Sequence, residues 1–387
     1  MKKIYMSLFL VIGTIIMFSG CTVTDKKNNN EVINTYDETQ EIKQLKTKQV
    51  SDFSYKYDTD CQSDREAFST EVYTPYGHYQ VTKNEMTDDN YLMYFDYETG
   101  EKVFVCGKNN CQHNDSSCNA YFDKNKFPMC NLWNYEGNLY TPMIEDGNIW
   151  ICKISPDGST REKICKIMRQ YIEIKQDEEE VSESDYFPEI QLHRGYIYFT
   201  DYYMGAEASG LYRVKLEENA NVECLYRVSG KNTSIYRIKP YGKYVLFQMG
   251  ISKENTKDVQ DNIYAYDTEN NKLWYVCKDV YRDYTVIGEN LYYVDLERNI
   301  KRMNLTTGEQ SEFYKCKLDT ENTYNLMVFA YGKNIVVRIK DVLNENSSIQ
   351  YELDEAGKIV KIRKEADKDV LLTPYSDISK YKIQGEN

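Results

Sequence analysis

Gly77, Gly137, Gly195, Gly242, Gly288 and Gly332 each stand before a short run rich in Tyr, Ile or Val. Their spacings are 60, 58, 47, 46 and 44 residues. The unit reads as Gly, a strand, a variable loop, a second strand, a turn rich in Asp, Asn or Gly, and a third strand. The clearest copies are Gly195-Tyr-Ile-Tyr-Phe-Thr-Asp201 leading to Gly210-Leu-Tyr-Arg-Val, and Gly288-Glu-Asn-Leu-Tyr-Tyr-Val-Asp295 leading to Ile300-Lys-Arg-Met-Asn304. A period in the forties with several short strands is what one four-stranded propeller blade requires. Each blade buries its faces only against its neighbours, so such an array closes into a ring. The fold class is therefore read as all-β: a single β-propeller over residues 51–387, with blade starts near those six glycines. Six four-stranded blades are expected, or seven if residues 51–76 hold more than one strand. The stretch 53–57 and the tail 378–383 are alternative strands for closing the ring.

Composition agrees with a strand-rich chain. Tyr occurs 37 times against 13 Phe and 3 Trp, with only 7 Pro, and Tyr favours pleated, half-buried surfaces. The formal net charge of −13 makes nucleic acid and anionic headgroups poor partners, so no nucleic-acid partner is expected.

The first twenty residues are an address. Lys2 and Lys3 precede an uncharged apolar stretch that suits a secretory signal peptide. It ends in Phe18-Ser19-Gly20-Cys21, which resembles a bacterial lipobox with Phe in place of the usual Leu. The resemblance implies that the Cys21 thiol is lipidated and becomes the new N-terminus; the plainer alternative is an ordinary signal peptide with an incidental Cys. Residues 21–50 are polar and carry an Asn run, which reads as a flexible tether with a reach on the order of 30 Å. The expected location is the outer face of a bacterial cell membrane, with the lipid anchor as the membrane contact.

Tyr198-Phe199-Thr200-Asp201 followed by Leu211-Tyr-Arg-Val, and Tyr292-Tyr-Val-Asp295 with Ile300, Arg302 and Asn304, resemble the Tyr-Trp-Thr-Asp repeat of low-density-lipoprotein-receptor-type six-bladed propellers. Neither copy has the Trp. The whole chain resembles lipoproteins of Gram-positive gut anaerobes that carry a propeller domain of unknown function, related to TolB-like propellers. That likeness covers about residues 70 to 365 and implies the fold more than any activity, since propellers host binders, scaffolds and enzymes alike.

The chain has 11 Cys. Most are scattered and read as isolated core residues. The exception is Cys106-Gly-Lys-Asn-Asn-Cys111-Gln-His113-Asn-Asp-Ser-Ser-Cys118, within an insertion at 106–130 placed between the first two blades. Three thiols and an imidazole separated by turn-forming residues have the spacing to wrap a tetrahedral Zn²⁺, and the cluster resembles one that recurs in the lipoprotein group. Disulfides among Cys106, Cys111, Cys118 and Cys130 are the second reading for an exported chain. A catalytic or redox site is the third. Four ligands would close the coordination sphere and leave no place for water, so a structural zinc is the reading taken.

No nucleophile elbow, phosphate loop or His-Glu-x-x-His motif occurs. His78 and His193 read as strand or loop residues, and Ser155-Pro-Asp157-Gly158-Ser-Thr160 as a plain hairpin turn despite a faint likeness to an Asp-box. The acidic run 177–185 reads as a solvated loop, and Tyr196, Tyr198, Tyr202 and Tyr203 as sheet residues, or as platforms for a sugar or peptide. Asp201 and Asp295 occupy equivalent positions and are to be inspected as converging carboxylates. The expected function is a non-catalytic binding module for a protein, peptide or glycan. The alternatives are a glycan-active lyase or hydrolase working in the propeller funnel, and a regulatory domain that senses an envelope component.

Overall fold

The computed structural model describes residues 70–74, 76–83, 89–128, 131–169, 188–201, 208–229, 233–252, 259–305, 307–316, 324–341 and 348–367. The expected leader, the lipidation site Cys21, the tether, Cys61, Cys130, the acidic run, Tyr202, Tyr203 and both proposed closing strands lie outside them.

The described residues are nearly all strand, with one 3-10 turn at Glu365–Asp367 and no α-helix. The chain runs as successive antiparallel meanders. The first comprises β1 (Glu71–Tyr73), β2 (Gly77–Lys83), β3 (Asn90–Asp96), β4 (Lys102–Phe104) and β5 (Tyr121–Phe122). The second is β6 (Trp133–Tyr135), β7 (Asn138–Glu145), β8 (Asn148–Ile154) and β9 (Arg161–Arg169). The third is β10 (Ile190–His193), β11 (Tyr196–Thr200), β12 (Ala208–Lys215) and β13 (Val222–Ser229).

A seven-stranded sheet follows: β14 (Thr233–Tyr241), β15 (Tyr244–Ser252), β16 (Val259–Asp267), β17 (Lys272–Ile287), β18 (Asn290–Asp295), β19 (Ile300–Asn304) and β20 (Gln310–Tyr314). Strand β17 is shared. Its first half pairs with β16 from Lys272 to Val280, and its second half pairs with β18 from Tyr284 to Ile287, with the register shifting between Val280 and Tyr284. One strand thus closes the fourth meander and opens the fifth. The sixth is β21 (Tyr324–Tyr331), β22 (Asn334–Asp341), β23 (Ser348–Leu353) and β24 (Ile359–Lys364).

The sheets take the β-propeller arrangement expected, and their packing explains it. Each of the five larger apolar layers lies between two consecutive meanders. Val72, Val81 and Leu92 of the first meet Leu139, Cys152 and Ile154 of the second. Ile149, Ile151 and Cys165 meet Ile197, Phe199 and Val214 of the third, and Leu211 and Val228 meet Val245, Phe247 and Met249 of the fourth. Leu246, Ile263 and Cys277 meet Tyr284, Val286 and Leu291 of the fifth. Val294 and Ile300 meet Leu326, Val328 and Val337 of the sixth. Only a small cluster, Phe329 and Val336 of the sixth meander, lies within one meander among the described residues, so neighbours supply most of the burial that each strand's alternating pattern demands.

The structure corrects the phase of the repeat. From Gly137 onward the repeat glycine does not open a meander; it lies in the turn between the first and second strands, with φ between 56° and 76°. That left-handed backbone is why glycine recurs there. The first strand of each meander precedes the glycine, as Ile190–His193 precedes Gly195.

Candidate metal centre

The insertion does not sit between the first two meanders. It splits the outer strand of the first. Strand β4 pairs with β3 at Met93, Tyr94 and Phe95, and β5 resumes the same edge at Tyr91 and Asn90. At the break, Leu92 accepts the Val105 N–H at 3.0 Å and donates its own N–H to Ala120 at 2.8 Å. The loop 106–119 therefore leaves the sheet and returns to it at a single residue.

All four predicted ligands lie in that loop and converge. The ligand atoms of Cys106, Cys111, His113 and Cys118 are all within 4.8 Å of one another. A tetrahedral zinc with Zn–S near ~2.3 Å and Zn–N near ~2.0 Å sets its ligands about 3.4–3.8 Å apart, and His113 Nδ1 lies 3.3 Å from Cys118 Sγ. Local geometry produces the convergence. Asn110 and His113 take left-handed backbone angles of 59° and 55°, which reverse the chain twice. The Asp115 carboxylate accepts the Ser117 N–H at 2.8 Å, and the Cys118 N–H bonds to the Asp115 carbonyl at 3.0 Å. The Lys108 ammonium donates to the Ser117 carbonyl across the loop. Phe104 stacks on the His113 ring at 4.5 Å and 16° and fixes its plane.

The donor chemistry also fits. Burial works against ionisation of Cys106, but the backbone N–H groups of Lys108 and Asn119 are directed at its sulfur, and its pKa falls below the ordinary thiol value. Burial pushes the fully enclosed Cys118 up to about 12, with the adjacent Cys106 and Cys111 sulfurs adding to the rise. A divalent cation supplies the charge that lets such crowded thiols shed their protons. The set fits zinc in a closed structural site. All eight described cysteines are unbridged.

The loop is docked on the turn between β8 and β9, which sequence reading took for a plain hairpin. It is a hairpin turn, and it also carries the inter-meander contact. Asn119 Nδ2 donates to the carbonyls of Gly158 at 2.7 Å and Ser159 at 3.1 Å. Arg161 donates to the carbonyls of Asn119 at 3.2 Å and Tyr121 at 2.7 Å. Hydrogen bonds from the Ser159 N–H and the Ser155 hydroxyl hold the Asp157 carboxyl at about 2. Gly158 has φ +67°, and a Cβ there would stand 2.1 Å from the Val105 carbonyl oxygen. Gly100 has φ +71° with open space around it. Gly158→Ala is therefore expected to destabilise the chain by at least about 1 kcal/mol more than Gly100→Ala. Paired urea titrations check this, and equal losses would refute the docked geometry.

The remaining residues singled out from sequence fall into structural roles. His193 is fully buried and donates from Nε2 to the Gly242 carbonyl at 2.6 Å, tying the third meander to the fourth. His78 packs among Tyr73, Phe95 and Tyr97, where burial lowers its pKa. Tyr198 is 1% exposed and belongs to the core, so it is no ligand platform; Tyr196 lies under the Arg213 guanidinium. Asp201 accepts the Gly210 N–H at 2.5 Å and the Tyr212 hydroxyl at 2.6 Å. Asp295 accepts the Asn299 N–H at 2.8 Å and faces Lys301. Both carboxylates brace their own meander and do not converge.

Sequence reading missed the carboxylates that do converge. Asp283, 3% exposed, meets Arg237 Nη1 at 3.0 Å and Lys239 Nζ at 3.3 Å, and accepts the Val328 N–H at 3.0 Å. Glu189 accepts the Ile238 N–H at 3.0 Å. Each acid stands at the first strand of one meander and grips the first strand of another. Arg237 reaches Asp283 from a β-bulge at φ 53°. No local spacing marks these residues, which lie some 45 positions apart.

No family model matches the chain, and no curated protein matches it. Among solved structures the chain is similar to an oligogalacturonate lyase in complex with manganese, at 10% identity over 74% of this chain and 77% of that one, with a TM-score of 0.47. An oligogalacturonate lyase from Vibrio parahaemolyticus is 11% identical over 75% and 78%, with a TM-score of 0.45. The β-propeller domain of the Trilobed protease from Pyrococcus furiosus is 13% identical over 77% and 83%, with a TM-score of 0.44.

Proposed function

We propose that the chain is a membrane-anchored extracytoplasmic lipoprotein whose six-bladed propeller binds a protein, peptide or glycan without transforming it, with a structural zinc in the Cys106–Cys111–His113–Cys118 loop. The observation that carries the non-catalytic reading is the state of the converging acids. A general acid or base needs a carboxyl free to exchange a proton with substrate. Asp283 is bound by two cations and two backbone N–H groups, and Glu189 is held by the neighbouring strand. Val103 and Phe104, 48% and 39% exposed, stand beside the metal loop.

Incubation of the chain with glycan and peptide panels tests the reading. A ligand at a hundredfold its dissociation constant adds about 2.7 kcal/mol of stability, and the expected result is a thermal shift with the ligand recovered intact. Consumption of the ligand would replace this reading with the glycan-active enzyme. For the anchor, Cys21→Ser is expected to move the protein from the membrane fraction to the medium, and unchanged membrane retention would overturn lipidation at that residue.

A further inference from the structure

Strand β24 differs in composition from the rest of the surface. Lys358-Ile-Val-Lys-Ile-Arg-Lys364 holds four cations and no acid in a chain of net charge −13. Ile359, Val360 and Ile362 are 39%, 59% and 46% exposed, an unusual concentration of bare aliphatic side chains. The strand pairs with β23 on one side and, among the described residues, with nothing on the other. Its outer edge presents a row of backbone donors and acceptors, the template on which a further strand forms.

Register assigns the faces. Ile362 lies opposite Tyr351 and Ile359 opposite Leu353, with a bulge between Glu352 and Leu353. Tyr351 and Leu353 belong to the layer shared with the fifth meander, so the two isoleucines carry that apolar face beyond the sheet's edge. Lys361 lies opposite Glu352 and Arg363 opposite Gln350, on the other face. Arg363 is committed to Glu352 at 2.7 Å. No salt bridge joins Lys358 or Lys361 to an acid among the described residues. Asp354 accepts the Ala356 and Lys358 N–H groups, and Glu365 accepts that of Ser348.

We propose that β24 is a strand-addition site for an extended partner segment in which acidic and aliphatic residues alternate. The segment's backbone would pair with the outer edge, its aliphatics would extend the row of Ile359 and Ile362, and its acids would meet Lys358 and Lys361. This names a partner for the binding module proposed above and rests on that reading. Lysines and a bulge are also devices that protect an edge from pairing. Protection accounts for the cations but not for three exposed aliphatics on the same strand, whereas an acidic, aliphatic segment accounts for both. A second copy of the chain fits poorly, since β24 against β24 sets lysine beside lysine.

The test uses the full chain in detergent and a fluorescent acetyl-Glu-Val-Glu-Val-Glu-Val-Glu amide, followed by anisotropy. Expected are saturable binding that weakens with salt, loss of binding when alternate peptide nitrogens are methylated, and about tenfold weaker binding to the K358E/K361E variant. Both positions are exposed, so the variant should keep the parent's thermal midpoint. No binding at millimolar peptide overturns the proposal, as does binding that K358E/K361E leaves unchanged. So does a loss on K358E/K361E confined to phosphatidylglycerol vesicles, which would make the strand a membrane contact. A panel ligand that binds parent and variant equally, where the acidic peptide does not bind, sinks this site while leaving the binding module intact.

Discussion

Cys118→Ser is expected to abolish zinc retention and to lower the thermal midpoint far more than Cys316→Ser. Cys118 is fully enclosed, whereas Cys316 is half-buried and outside the cluster. A metal held by the four ligands would cross-link a loop whose ends meet at Leu92, so its effect on stability would resemble that of a staple closing a loop of similar length, about 3 kcal/mol. For a domain of this size that corresponds to a fall on the order of 5 °C. The larger values known for isolated zinc peptides do not transfer, because the sheets here have apolar layers that do not depend on the ion. Elemental analysis should find one zinc per parent chain and none in the variant, and a chelator should reproduce the fall in the parent but not in the variant. A parent chain without zinc, indifferent to chelator and carrying a disulfide by non-reducing mass spectrometry, would return the loop to the oxidised reading.

Asp283→Ala is expected to cost about 3–5 kcal/mol, the range for removing one partner of a buried ion pair. Asp283 contacts both the Arg237 and the Lys239 head groups, and its loss leaves Glu189 as the one acid among the described residues shown acting on both. It also strips the Val328 and Tyr284 N–H groups of their acceptor. The triple replacement Arg237→Met, Lys239→Met and Asp283→Leu, made together with Glu189→Gln so that no acid is left buried without its cations, should recover part of the loss, because desolvation of the charges disappears together with their attraction. Urea midpoints of the three proteins decide the matter. If Asp283→Ala lies within about 1 kcal/mol of the parent, the ion cluster is not what holds the first strands together.

The two predictions rest on features that differed in how far they could be read from sequence. The cysteine loop was legible because its ligands are neighbours in the chain and their spacing carries the geometry. Its docking partner was not, since Gly158 is about forty residues away and looks like any turn glycine. The propeller was legible from glycines whose positive φ no other residue adopts as readily. The strand before each glycine carries no such mark, and the repeat was therefore read one strand late. Where β17 passes from one meander to the next, the run Val280-Tyr-Arg-Asp-Tyr284 has no Gly, Pro or Asn to signal a boundary. Tyr198 and the buried Asp283 show the other limit. Whether a Tyr or an acid faces solvent or a neighbouring sheet depends on contacts made dozens of residues away.

Strand β17 also has a mechanical consequence. Elsewhere among the described residues the chain ends its pairing in one sheet before it enters the next. Along Lys272–Ile287 it does not leave. The two sheets share a girder, so a twist imposed on one is passed to the other through covalent backbone. If the ring breathes when something binds, it must open at its other seams. These two sheets should release their slowest-exchanging amides together rather than in sequence.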